Sequence, residues 1–293
     1  MGQLKEAIES STITTAPVVY DGISARVVER VGFDAMMAGG AAMTNSRMGK
    51  PDYGFIDLAE NEGQSKFIVE ATSLPVIVDC DTGFGNALNV YETVRRMEKI
   101  GAAGVMIEDQ QAPKRCGHMA GKSVISKAQM CQKVRAAVDA KQSDDFIILA
   151  RTDADATMGT DEAISRLNAY ADHGADLLFA DALETEESIS RVASETNGPV
   201  MVNMGYGIRE RPTTPLLSAA EMEDMGVNLA LYGRIVTGAA VNGMQAALEA
   251  LVDSFGDEEQ PRYPDLTVSW EEYTDLLGLP AVQEQERRYA GDE

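Results

Sequence analysis

A chain of 293 residues that is 44% hydrophobic can bury one large core. Its 47 acidic against 25 basic side chains leave a formal charge of −22, a field that opposes nucleic acid and anionic membrane surfaces as partners. No run approaches the ~18 continuous apolar residues of a membrane span, no signal-peptide core opens the chain, and Cys80, Cys116 and Cys131 are too scattered for a disulfide framework, so a soluble cytoplasmic protein with reduced thiols is expected.

A repeating unit runs through the chain, in which a helical pattern closes at a glycine and a short apolar run follows. Val31-Gly32-Phe33-Asp34 leads into Ala35–Ala38, and Ile100-Gly101 into Gly104–Ile107. His173-Gly174-Ala175-Asp176 leads into Leu177–Ala180, and Met225-Gly226 into Asn228–Tyr232, with Leu229–Leu231 as its strand. The glycines read as helix C-caps, and the runs, apolar throughout rather than alternating, read as buried parallel strands. Pro17–Tyr20, Pro75–Val78, Phe146–Ala150 and Pro199–Val202 bring the strands to eight. Helices are predicted at Leu88–Ile100, Asp161–His173, Glu186–Thr196 and Ala219–Met225, with capping boxes at Ser126–Gln129 and Ser218–Glu221. Eight strands alternating with helices predict an α/β fold, a (β/α)8 TIM-type barrel over residues 1–255. The eighth helix, Ala239–Phe255, is followed by a polar connector, Gly256–Leu266, and one amphipathic segment, Ser269–Tyr289. This extension, 256–293, either caps the barrel floor or crosses to a neighbouring subunit.

Barrel enzymes build their sites at the carboxyl ends of the strands. Here those ends read Asp79-Cys80-Asp81, Glu108-Asp109-Gln110, Arg151-Thr152-Asp153, Asp181, Asn203 and Tyr232. Any one is readily a cap or a solvated turn, but all six on one rim point to a site. Asp79, Asp81 and Glu108 are hard oxygen donors that suit Mg²⁺, with Mn²⁺ as an alternative, whereas zinc lacks Cys/His partners at ligand spacing. Arg151 offers a fork for a carboxylate. Lys114-Arg115-Cys116-Gly117-His118 sets a thiol between cations, a setting that favours thiolate. A divalent cation, a carboxylate clamp and a thiol loop fit a small di- or tricarboxylic acid that reacts through a metal-stabilised enolate.

In the motifs Val78–Gly85, Ile107–Gln110, Lys114–His118 and Arg151–Asp153 the chain resembles the isocitrate lyase/phosphoenolpyruvate mutase superfamily over nearly its whole length. The Lys-Arg-Cys-Gly-His form is similar to that of 2-methylisocitrate lyases. The resemblance implies Asp79, Asp81 and Glu108 around Mg²⁺, with Asp52 supporting its waters. It implies Cys116 as proton donor to a succinate-like enolate, its protonation set by His118 and Arg115, and Lys114 anchoring the loop when closed. Gly39 and Gly40 would meet the oxo acid, and Arg151, Asp181 and Asn203 would bind substrate. The implied reaction is retro-aldol cleavage of isocitrate or 2-methylisocitrate to succinate plus glyoxylate or pyruvate. Dimethylmalate cleavage or oxaloacetate hydrolysis is the alternative within the family, and a non-catalytic acid-binding barrel is the alternative outside it. The resemblance further implies a homotetramer that exchanges its last helix between subunits.

The chain departs from the family at several positions. Ala38-Gly39-Gly40-Ala41 replaces a Ser-Gly-Gly run, and Met36 or Met37 replaces a tyrosine, leaving the base unassigned. Asp181 stands for a glutamate, and Met204–Pro212 differs where relatives contact the distal carboxylate. Trp270–Pro280 is closer to dimethylmalate lyases and oxaloacetate hydrolases. The acidic excess also leads us to expect a halophilic origin, since such charge keeps proteins dissolved in concentrated salt.

Overall fold

A computed structural model describes residues 2–10, 12–208, 214–256 and 262–290. Eight parallel strands close into a barrel in sequence order: β1 Thr14–Val19, β2 Met36–Ala38, β3 Val76–Asp79, β4 Gly104–Glu108, β5 Ile147–Thr152, β6 Leu177–Ala180, β7 Val200–Met204 and β8 Leu229–Tyr232. The ring closes where Thr14–Pro17 pair with Leu229–Tyr232. This is the (β/α)8 fold expected from the sequence.

The first strand begins three residues earlier than predicted. Proline lacks the N–H that a central strand needs, which made Pro17 look like a strand start. Pairing of β1 with β2 begins only at Val18, so the missing donor falls ahead of that ladder. The predicted glycine caps are present. Gly32, at φ 96°, donates to the Val28 and Glu29 carbonyls and ends the helix Gly22–Val31. Both predicted capping boxes form, Ser126 with Gln129 and Ser218 with Glu221.

Alternate strand residues fill the interior. Val18, Met37, Ile77, Met106, Leu149 and Phe179 belong to one buried cluster, to which the N-terminal helix Gly2–Ile8 adds Leu4 and Ile8. That cluster includes Ala35, Ile147, Leu177 and Leu229 from the strand beginnings, so the N-terminal helix closes the floor. With the floor filled, the strand carboxyl ends are left to build a site.

The chain divides into two compact units, Met1–Ile235 and Val236–Glu293, so the boundary expected at 255/256 falls inside the second unit. The helix after β8 runs from Ile235 to Asp253. By length and composition Ile235–Gly256 would suffice to cross a membrane, contrary to the expectation that no segment would. Thr237, Asn242 and Gln245 interrupt the run without lowering its average enough. The last segment is two helices, Trp270–Leu276 and Leu279–Tyr289, rather than one. They break at Gly278, which adopts a left-handed φ of 79°. Residues 209–213, which take in the end of the divergent run Met204–Pro212, and 257–261 of the connector lie outside the described residues.

Candidate active site

The strand ends gather acids around buried cations. Asp79 closes β3, where its Oδ2 accepts from the Gly40 amide at 3.0 Å and its Oδ1 from the Asp81 amide at 3.1 Å. A Cβ on Gly40 would lie 3.0 Å from Asp81 Oδ1 and 3.2 Å from Asp79 Oδ2, so the close approach of that backbone requires glycine. Asp81 itself sits at φ 49°, a left-handed turn that swings its carboxylate beside Asp79. Gly39 and the following residues Ala41 and Ala42 line the same cavity.

Lys114 reaches this cluster from the thiol loop. Its Nζ lies 2.8 Å from Asp52 Oδ2 and 2.7 Å from Asp81 Oδ1, with the side chain 5% exposed. Burial opposes the charge, but Asp81, Glu108, Asp79 and Asp52 outweigh it and hold the ammonium well above its ordinary pKa. Burial pushes Asp81 up to about 7 against the pull of Lys114. Burial likewise raises Glu108 well above the carboxylate range, against the pull of Arg151.

Arg151, at the end of β5, is a three-way hub. Its guanidinium lies 3.3 Å from Glu108 Oε2, 2.9 Å from Asp153 Oδ2 and 2.7 Å from Asp181 Oδ2. Burial is again outweighed, here by Asp153, Asp181 and Glu108, and the charge is held firmly. Asp153 is lowered, because Arg151 and Lys122 overcome its burial.

The loop 114–118 closes over these groups. The Cys116 amide donates to the Asp52 carbonyl at 3.2 Å. Gly117 packs so tightly that a Cβ would fall 1.7 Å from Asp181 Oδ2 and 2.5 Å from Arg151 Nη2. Cys116, Gly117 and His118 all face the cavity, which measures about 70 Å³. Asn203 lines it from β7, with its Oδ1 buried and lacking a hydrogen-bond partner among the described residues.

Two expected placements differ. Arg115 turns away from the thiol: its Nη1 donates to the Ala120 carbonyl at 3.1 Å and its guanidinium lies 5.9 Å from the Tyr53 ring. The cation that touches Cys116 is Arg234, whose Nη2 is 3.5 Å from Sγ. Not all six strand ends face the cavity either. Asp109 points outward, accepting from Thr152 Oγ1 at 2.7 Å, Arg166 Nη1 at 3.0 Å and Tyr170 Oη at 2.7 Å. Strand side chains alternate, so Glu108 and Asp109 take opposite faces.

Two residues absent from the sequence reading belong to the site. Arg234 stands two positions after the predicted strand end Tyr232, within reach of the rule that located the other rim groups. Lys122, with its side chain 3% exposed, lies 2.9 Å from Asp153 Oδ1 and donates to the Gly117 carbonyl. Sequence offers for it only the turn Gly121-Lys122 after the loop.

The donor set fits a hard divalent cation. Asp52, Asp79, Asp81, Glu108, Asp153 and Asp181 outnumber Lys114, Lys122 and Arg151, and both Glu108 carboxylate oxygens are buried without a hydrogen-bond partner among the described residues. Oxygen-only donors in such excess suit an ion held through its own waters. Among the described residues no three ligands converge on one point as a closed metal cage.

Fold and site together define a (β/α)8 barrel with a candidate active site at its C-terminal rim. Residues 4–252 match the family described as phosphoenolpyruvate phosphomutase. A 2,3-dimethylmalate lyase of Eubacterium barkeri is 40% identical over 98% of this chain and 97% of its own. A 2-methylisocitrate lyase of Aeropyrum pernix is 36% identical over 94% of this chain and 86% of its own. An oxaloacetate acetylhydrolase bound to 3,3-difluorooxalacetate superposes with a TM-score of 0.87 at 30% identity, covering 99% of this chain and 97% of that one. A phosphonopyruvate hydrolase in complex with oxalate and Mg²⁺ superposes with a TM-score of 0.86 at 26% identity, covering 98% of each chain. The chain belongs to the phosphoenolpyruvate mutase/isocitrate lyase superfamily, and it is an enzyme of the lyase kind.

Proposed function

We propose that the enzyme cleaves the C2–C3 bond of a 2-hydroxy di- or tricarboxylate such as 2,3-dimethylmalate or 2-methylisocitrate, using Mg²⁺. The observation that carries this reading is the meeting in one cavity of the Cys116 thiol, the Arg151 hub and the acids Asp79 and Asp181. The whole-length similarity to a 2,3-dimethylmalate lyase favours that substrate as much as 2-methylisocitrate.

Asp79, Asp81 and Glu108 would hold the ion through its waters, with Asp52 and Lys114 flanking them. When bound, the ion supplies Lewis-acid stabilisation of negative charge on the oxo-acid oxygens. Arg151 and Asn203 orient the substrate, and the Gly39–Gly40 backbone borders the oxo-acid end. The hydroxyl proton leaves to a base, the C2–C3 bond breaks, and its electron pair passes to C3 and the adjoining carboxylate. Cys116 then delivers its proton to C3, yielding an oxo acid and a saturated acid without net redox change. His118, two residues after the thiol and facing the same cavity, resupplies that proton.

A panel of 2,3-dimethylmalate, 2-methylisocitrate, isocitrate and oxaloacetate, assayed with Mg²⁺ and with EDTA, tests the reading. Cleavage of at least one of the three hydroxy acids that stops with EDTA and returns with Mg²⁺ supports it; hydrolysis of oxaloacetate alone, inertness toward all four, or indifference to chelation sinks it.

We also propose an oligomer built through the helix Ile235–Asp253, supported by the exposed stripe Val241, Met244, Leu248 and Val252. A monomer by light scattering would rule this out. The charge of −22 supports adaptation to salt, for which the melting temperature should rise steadily with KCl.

A further inference from the structure

Asp109 faces away from the cavity, yet it grips every residue of the β5 end that carries the arginine hub. Its amide donates to the Arg151 carbonyl at 3.2 Å. Its Oδ2 accepts from the Thr152 hydroxyl at 2.7 Å, and its Oδ1 accepts from the Asp153 amide at 3.0 Å. Strand alternation explains the arrangement: Arg151 turns into the cavity, so Thr152 turns outward and meets Asp109 behind the barrel wall. The Thr152 carbonyl in turn accepts from the Asp181 amide at 3.1 Å, so another partner of Arg151 hangs on the same tripeptide.

Asp109 also reaches the thiol loop. Its carbonyl accepts from the Ile125 amide at 2.8 Å, where the loop runs into the helix Lys127–Ala140. Buried Arg166 donates through Nη1 to Asp109 Oδ2 at 3.0 Å and to the Ile125 carbonyl at 2.9 Å. Tyr170 adds a bond to Oδ2 at 2.7 Å, and burial together with the Asp109 charge holds its hydroxyl protonated, well above the usual phenol range.

Resting on the lyase reading above, we infer that Asp109 is a positioning residue, which from behind the barrel wall holds the Arg151 guanidinium and the Cys116 loop in register with each other. A buried carboxylate that accepts from Thr152, Asp153, Arg166 and Tyr170 is fixed in direction, because turning it strands a buried donor. Arg151 pairs with Asp153 and Asp181, and Gly117 packs against Arg151 and Asp181. A shift of the β5 end therefore moves the seat on which the loop closes. Lys122 carries the same shift, since it joins the Gly117 carbonyl to the Asp153 carboxylate. Displacement of catalytic groups by about 1 Å is enough to cost about 100-fold in rate.

Substitutions at Thr152 separate positioning from mere support of the fold, because its hydroxyl and its methyl group have different tasks. Thr152→Val keeps the shape and loses the donor, whereas Thr152→Ser keeps the donor and loses a buried methyl group. Two quantities are read beside the melting temperature: kcat/KM on the hydroxy acid that the wild type cleaves, and the rate at which iodoacetamide alkylates Cys116, followed by mass spectrometry without need of turnover. Thr152→Val should lose at least about tenfold in kcat/KM and alkylate at least about fivefold faster than the wild type. Thr152→Ser, although less stable, should stay within about threefold of the wild type in both. Asp109→Asn has one carbonyl oxygen for donors on two sides and should lose at least about 100-fold in kcat/KM. Tyr170→Phe, which leaves the Thr152 and Asp153 contacts in place, should stay within about threefold. The inference is overturned if Thr152→Val matches the wild type in either quantity, if Thr152→Ser is impaired as much as Thr152→Val, if Asp109→Asn is as active as the wild type, or if activity across the set simply follows melting temperature. A wild type that cleaves none of the three hydroxy acids would instead strike the lyase reading, and the alkylation rates would still decide whether Asp109 holds the loop in register.

Discussion

Lys114 Nζ stands 2.7 Å from Asp81 Oδ1, so the loop that carries the thiol plants its own cation among the carboxylates that would surround a metal. An ion arriving there therefore meets both a tethered competitor and protons. Burial raises Asp81 to about 7. A group with that pKa is mostly ionised at pH 8 and mostly protonated at pH 6, and ligation needs the ionised form. Mg²⁺ affinity should therefore be nearly flat above pH 8 and fall about tenfold between pH 8 and 6. Isothermal titration at the two pH values measures this, and an affinity that rose on acidification would contradict the placement of Asp81.

Lys122 ties the loop to β5, bridging the Gly117 carbonyl and the Asp153 carboxylate from a side chain 3% exposed. Removing one member of a buried pair leaves the other charge uncompensated, at a cost of about 3–5 kcal/mol. Lys122→Met should lower the melting temperature and reduce kcat by about 10- to 100-fold through mispositioning of Arg151 and the loop. Lys122→Arg should recover part of both. Kinetics and thermal unfolding of the two variants decide the matter; wild-type kcat in Lys122→Met would remove the latch.

Gly117 makes a sharper steric test. A methyl group there cannot coexist with Asp181 Oδ2 at 1.7 Å, and neither neighbour can retreat without breaking the 2.7 Å Arg151–Asp181 pair. Gly117→Ala should therefore hold the loop off the cavity, cutting kcat/KM at least 100-fold. The barrel core is untouched, so the melting temperature should stay within a few degrees. Activity close to wild type would show that the loop works in another position.

Much of this was legible in the sequence because barrel strands are short, wholly apolar and punctuated by glycine caps. Gly104–Ile107 and Leu177–Ala180 read as strands for that reason, and the acids that follow them, Glu108 and Asp181, mark the rim. Local signals failed where a distant partner decides. Pro17 looked like a strand start until the β1–β2 register was known. Glu108 and Asp109 look equivalent in sequence, but the pleat sends one to Arg151 and the other to Arg166 and Tyr170. Arg115 was assigned to the thiol by adjacency, whereas Arg234, 118 residues further on, makes the contact.

The most direct test of Cys116 as proton donor is cleavage in D₂O by the wild type and by Cys116→Ser, with substrate affinity measured in parallel. The wild type should release the saturated acid carrying one deuterium at the former C3. Cys116→Ser should lose kcat by about 10²–10⁴-fold while its substrate Kd stays within threefold. Turnover by Cys116→Ser near the wild-type rate, with deuterium still incorporated, would show that another group delivers the proton.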